Sequence, residues 1–216
     1  LKHNIIKLYL LRAVKWVMIV MPIIVLFFES KGLSVTQMMI LQGDYSLFVA
    51  LFEIPSGFFA DIYGRKNSLV IGSIFLFIGY LIFSFFSGFN EFLFAEILLG
   101  IGGSLISGAD SAILYDTLLE IKEEDEYTKI EGRTYAIGNF SEGIAGVLGG
   151  FLAMTSINMP VYIQTIVMFL SIPIAMTLVE PKRSYKRDKR FSAIITVVED
   201  TFICKRKLRR YIVYSS

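Results

Sequence analysis

What most constrains this chain is a series of six apolar segments, each close to the length at which a helix crosses a lipid bilayer. They cover approximately residues 8–28, 38–60, 69–89, 93–119, 134–155 and 160–179. A transmembrane helix needs about 20 residues. The chain is 55% hydrophobic and carries 19 Phe, above the ~45–50% apolar content typical of soluble domains, and the excess falls in these blocks. The fold class that follows is all-α: a polytopic membrane protein of six transmembrane helices joined mostly by short links. The link from Glu120 to Arg133 is longer and rich in Glu, Asp and Lys, and it reads as solvated.

The cations set the orientation. With the N-terminus in the cytoplasm, 20 of the 21 Lys and Arg fall on the inner side and only Lys31 falls outside, as the positive-inside rule requires. The expected location is a cell membrane, multi-pass. A net charge of +2 gives no field that would draw nucleic acid. Cys204 is the sole cysteine and His3 the sole histidine, so neither an intramolecular disulfide nor a cysteine-based metal cluster is available. No cofactor and no metal site are expected.

Ionisable residues inside the segments are unevenly shared. The third segment has none, and Gln164 is the strongly polar residue of the sixth. The first holds Arg12 and Lys15, the second Asp44 and Glu53, the fourth Glu96, Asp110 and Asp116, and the fifth Glu142. A charge facing lipid costs at least about 2.5–3.5 kcal/mol. Segments one, two, four and five are therefore expected to turn inward, and three and six toward lipid. That partition recurs every three segments, as two inverted three-helix repeats would give. Glu96, Gly100, Gly103, Ser107 and Asp110 recur at intervals that place them on one helical face. Gly138, Glu142, Gly146, Gly149 and Gly150 form a small-residue stripe in the fifth segment, suited to close helix packing.

The sharpest local signal lies between the second and third segments: Gly57, Asp61, Gly64, Arg65 and Lys66. Gly64 suits a tight turn that needs positive φ. With Glu53 and Pro55 before it, the stretch resembles the Gly-x-x-x-Asp-x-x-Gly-Arg-Arg/Lys signature between the second and third helices of the major facilitator superfamily of transporters. The family often has Leu where Phe59 stands and a third basic residue where Asn67 stands. The resemblance implies that spans one and four line a cavity, two and five meet the other half of the transporter, and three and six face outward. It also implies a conformational latch holding two halves in the outward-facing state, here Gly57, Asp61, Gly64, Arg65, Lys66 and Asp116. In it Asp61 would accept from the N-terminal amides of a helix in the missing half, and Arg65 would clamp Asp116.

Depth along the helices, at about 1.5 Å per residue, lets Arg12, and with it Lys15, reach Glu53, Asp110 or Glu142. These residues, with Glu96 and Asp44 nearer the outer ends, are the candidates for proton coupling or for lining a cavity. Lys15 itself is read as snorkelling to the headgroups. Two departures bear on coupling and direction. Proton-coupled members of the family carry an Arg four residues before a Gly in the fourth span, where this chain has Glu96 before Gly100. Drug-exporting members carry Gly-Pro-x-x-Gly-Gly in the fifth span, where Ala145-Gly146-Val147-Leu148-Gly149-Gly150 keeps the final glycines without the Pro.

The reading is an amino-terminal six-helix half of a secondary transporter. It comprises a bundle over residues 1–180, a basic cytoplasmic linker with an amphipathic helix over 181–210, and the start of a seventh span at 211–216. Phe191, Ile194, Ile195, Val198 and Phe202 give that linker its helical apolar spacing. The expected function is movement of a small solute by alternating access, with proton coupling and a lean to export. The expected partners are a small-molecule substrate, protons, the lipid bilayer and the missing carboxyl-terminal half, with no nucleic acid. The alternatives are a non-transporting membrane scaffold or sensor, and an intramembrane enzyme. The enzyme lacks support because His3 and Cys204 fall outside the spans.

Overall fold

The structure is a computed structural model that describes residues 2–182. It is all-helical: α1 (Lys2–Trp16), α2 (Ile24–Ser30), α3 (Val35–Tyr63), α4 (Arg65–Phe85), α5 (Phe89–Glu120), α6 (Tyr127–Thr155) and α7 (Met159–Thr177). Taken together as one span, α1 and α2 make, with α3 to α7, six helices long and apolar enough to cross a membrane. The expected linker beyond Lys182 and the start of a seventh span lie outside the described residues.

Most helices run past their apolar windows. Hydropathy marks where hydrocarbon is, whereas a helix continues as long as its backbone bonds are made. α6 starts at Tyr127, so half of the link expected to be solvated loop is helix. α3 begins at a capping box: the Ser34 hydroxyl accepts from the Gln37 amide at 3.3 Å, and the Gln37 side-chain oxygen accepts from the Ser34 amide at 2.8 Å. At its other end Gly64 turns the chain into α4 with φ 106°, where a Cβ would be strained.

The first span is not one helix. α1 stops at Trp16, and a short 3-10 turn at Met21–Ile23, carrying Pro22, precedes α2. Proline has no amide hydrogen and restricts the residue before it, so the ladder cannot pass through. Gln164 of α7, fully buried, accepts from the freed Ile19 amide at 2.7 Å. Gly149 of α6 makes room for the broken strand of chain, since a Cβ there would fall 2.1 Å from the Ile19 carbonyl oxygen.

The packing repeats. α5 sits against α3 and α4, and α1 sits against α6 and α7; α4 meets α7. Exchanging the first three spans with the last three maps this pattern onto itself. Three is odd, so the second triplet crosses in the opposite sense and the repeats are inverted. α4 and α5 approach closely at Gly72 and Gly102, where a Cβ on either would lie 2.9 Å from the other's carbonyl oxygen. Two apolar cores result. Near the α3–α4 turn, Leu8, Leu11, Leu69, Ile113, Leu114 and Leu118 pack together. Toward the other end, Phe27, Phe28, Phe83 and Phe92 form a ring cluster with centroids 5.0–6.3 Å apart. α1 belongs to the first core and α2 to the second.

α3 and α6 are the least covered spans, with exposed Leu47, Leu51 and Ile54 on one and Phe140, Ile144 and Val147 on the other. α4 and α7 are better covered than either. The inward expectation for acid-bearing spans therefore needs correction at two residues: Glu53 and Glu142 are exposed. Each lies on a flanking helix that has bundle neighbours on one side only.

Candidate functional site

Two groups of ionised side chains gather at the end of the bundle that carries the α3–α4 turn, here called the basic end. The deeper one lies between α1, α5 and α6. The Arg12 guanidinium is 3.2 Å from Asp110 and 3.5 Å from Glu131, and the Lys15 ammonium is 3.5 Å from Asp110. All four are largely enclosed, with Arg12 7% exposed. The Ser111 hydroxyl donates to Glu131 at 2.7 Å, and the Ser111 amide donates to Asp110 at 2.7 Å. Tyr135 places its ring 5.0 Å from the Arg12 guanidinium carbon. Two cations face two carboxylates, so the group is neutral as a whole, which is the condition for keeping charges at this depth.

The second group sits at the turn. Arg65, one residue past Gly64, lies 2.8 Å from Asp116 of α5 and 3.8 Å from Asp61 one turn before it. Its guanidinium also donates to the Ala112 carbonyl. Asp61 is exposed, and Gly57 is half-buried in the wall of α3 toward α5. The first two amides of α4 do not face water. Glu180, just past α7, accepts from the Arg65 amide at 2.9 Å and from the Lys66 amide at 2.7 Å. A carboxylate there satisfies open donors at the positive end of the helix. Asn4 fastens α1 to the same region, giving to and receiving from Val179 at 2.7 and 3.0 Å.

Of the residues singled out in the sequence, the structure brings together Arg12 with Asp110, and Arg65 with Asp61 and Asp116, while Gly64 and Lys66 flank Arg65 in the turn beside Glu180. Glu53 and Glu142 stay apart from Arg12, and neither side chain has an ion partner among the described residues. Lys15 does not snorkel: it lies on the same face as Arg12, one turn deeper, and its amine turns to Asp110. Asp44 and Glu96 fall toward the opposite end. Two residues escaped the sequence reading. Glu131 was counted with the solvated link, although Glu131, Thr134 and Gly138 keep helical spacing that marks one face. Glu180 carries no local signal, because its partners are brought to it by folding. Among the described residues no cluster of three or more His, Cys, Asp or Glu is placed to hold a metal ion.

Comparison with known proteins places this geometry. A family model described as Major Facilitator Superfamily matches residues 9–214. An uncharacterized MFS-type transporter of Methanocaldococcus jannaschii is 29% identical over 143 residues, covering 65% of this chain and 36% of the relative. The quinolone resistance protein NorA of Staphylococcus aureus is 22% identical over 167 residues, covering 77% of this chain and 42% of NorA. Among solved structures, a mutant of the peptide transporter POT in complex with sulfate superimposes with a TM-score of 0.65 at 18% identity, over 93% of this chain and 44% of that one. The chain thus spans less than half the length of these relatives.

Proposed function

The chain belongs to the Major Facilitator Superfamily, and from that premise we propose that it forms the amino-terminal half of a proton-coupled secondary transporter. Membrane transport is the function common to this family and to the relatives named above. The finer reading is a small solute moved by alternating access in a cell membrane, the basic end lying in the cytoplasm. The final glycines Gly149 and Gly150 of the fifth span, which match the end of the run carried by drug-exporting members, lean it toward export.

The observation that carries the reading is the Arg65–Asp116 pair beside Asp61. It ties the α3–α4 turn to the end of α5 and leaves Asp61 exposed beyond the bundle edge. A carboxylate so placed suits the N-terminus of a helix from a second half. The exposed apolar faces of α3 and α6 are the surfaces that half would cover, bringing Glu53 and Glu142 out of lipid. Closing and releasing this latch would alternate access, while Arg12, Asp110 and Glu131 hold the inner wall.

The test is solute flux by the whole transporter in proteoliposomes, with and without a pH gradient. Arg65→Asp or Asp116→Arg alone is expected to abolish most flux, and the two together to restore part of it. Flux that no pairing rescues, or that ignores the gradient, counts against the latch or the coupling respectively. Absence of flux for any offered solute in the intact transporter favours a scaffold.

A further inference from the structure

The deeper ion cluster at the basic end encloses a small space. Beside Arg12 and Asp110, a cavity between α1, α5 and α6 is lined by Lys15, Glu131 and Thr134 and by the apolar Leu11, Ile106 and Leu114. The centre of a water-sized sphere has about 10 Å³ in which to move there, room for one such molecule. The apolar wall is closed to the outside: Leu11, Ile106 and Leu114 are 4%, 3% and 2% exposed.

Hydrogen bonds around this cavity are unevenly shared. Oε1 of Glu131 accepts from the Ser111 hydroxyl at 2.7 Å and from the Arg12 guanidinium at 3.5 Å. Oε2 of the same carboxylate is fully enclosed and has no hydrogen-bond partner among the described residues. The Lys15 ammonium carries three N–H donors, and its carboxylate neighbour is a single oxygen, Oδ2 of Asp110, at 3.5 Å. Thr134 gives its hydroxyl hydrogen to the Ile130 carbonyl at 2.8 Å, which leaves its oxygen able to accept. An acceptor without a donor is costly at this depth. Here an open acceptor and spare donors border the same space.

The occupant can be deduced from charge, size and hydrogen bonding. Arg12 and Lys15 already balance Asp110 and Glu131, so an added ion would bring a net charge into a low-dielectric interior. The space holds one heavy atom. The occupant must donate to Glu131 and accept from Lys15. Water is neutral, has one heavy atom and does both. We propose that one water molecule is a fixed part of this cluster, donating to Oε2 of Glu131 and to the Thr134 hydroxyl oxygen and accepting from the Lys15 ammonium. Three such bonds are the usual number for a buried water. The water gives Glu131 a second tie to α1 beside the long Arg12 contact, so α6 is fastened to α1 partly through solvent. This site does not depend on what the protein transports, or on whether it transports.

X-ray radiolytic footprinting of the whole protein in lipid nanodiscs tests it. A short pulse splits bound water into hydroxyl radicals in place, the radicals oxidise the side chains beside them, and mass spectrometry locates the added oxygen. Leucines are compared with leucines, so intrinsic reactivity cancels. Leu11 and Leu114 are expected to be oxidised several-fold faster than Leu41 and Leu105, which do not line the cavity. Exposure alone predicts otherwise, because Leu105, at 7%, is the most exposed of the four. Thr134→Leu removes the acceptor and fills the space. It should bring Leu11 and Leu114 down to the rate of Leu41, with Leu41 and Leu105 unchanged as the sign of an intact fold. Thr134→Val keeps the shape and deletes the hydroxyl, and should lower the two rates by a smaller factor. Rates at Leu11 and Leu114 no higher than at Leu41 and Leu105 in the unsubstituted protein overturn the proposal, and so do raised rates that neither variant lowers. If Thr134→Leu unfolds the bundle, the unsubstituted protein and Thr134→Val decide.

Discussion

At the basic end Asp110 lies 3.2 Å from Arg12 and 3.5 Å from Lys15, whereas fourteen residues earlier on the same helix, ~21 Å away along its axis, Glu96 is more deeply buried with no cation in ion-pair distance among the described residues. One helix therefore carries two acids in opposite electrostatic settings. Around Asp110 the charges close on themselves, and no further charge needs to bind or leave for the region to be stable. Around Glu96 they do not close: among the described residues this buried carboxyl has no ion partner. The first arrangement suits a wall or a latch.

Substitutions can break or sharpen that contrast. The largest effect is expected from Arg12→Met, which leaves Asp110 and Glu131 with Lys15 as their one cation among the described residues. A loss of about 3–5 kcal/mol is expected for breaking a buried pair this way, read as a lowered unfolding midpoint in detergent. Next comes a matched pair of changes. Asp110→Asn should lower stability by about 3 kcal/mol for the same reason. Glu96→Gln, by contrast, should be neutral or stabilising by about 1 kcal/mol, because it removes a buried carboxyl that has no ion partner among the described residues. Equal losses at the two positions would erase the distinction between the ends.

Smaller effects test the supports. Glu180→Ala removes the carboxylate from the first amides of α4 and should cost about 1–2 kcal/mol. The loss should appear as faster hydrogen exchange at Arg65 and Lys66, with amides around Glu96 unchanged. Gln164→Leu withdraws the acceptor from the Ile19 amide where the first span breaks, between the two cores. Side-chain hydrogen bonds in membrane bundles average about 0.6 kcal/mol and reach ~1.7, and the upper figure is expected for so enclosed a bond. The least effect is expected from Lys2→Ala. The Lys2–Glu123 pair is 2.7 Å long, but its side chains are 74% and 39% exposed, and exposed pairs contribute about 0–1 kcal/mol.

Much of this architecture could be read from the chain. Six spans, their helical nature and the tight turn at Gly64 follow from apolar length and from one glycine's backbone freedom. The pairing of Asp61, Arg65 and Asp116 could be drawn because the motif spacing and the span ends put them at one depth. Glu131 was within reach of the sequence, since Thr134 and Gly138 continue its face, but the acidic link before it hid the start of α6. The break at Val17–Val20 was also signalled by Pro22, which an apolar window passes over.

By itself, the sequence determined which stretches enter lipid and in what order, because hydrocarbon tolerates only apolar helical chain and that constraint is local. Tertiary structure alone decided which acid meets which cation. Arg12 had several carboxylates within axial reach, and only the rotation of α1 against α5 and α6 selected Asp110 and Glu131 over Glu53 and Glu142. The same holds for Glu180, far along the chain from the amides it caps, and for Glu96, whose lack of a cation among the described residues is a property of its neighbours. Depth is encoded along one helix, whereas azimuth is fixed only when helices pack.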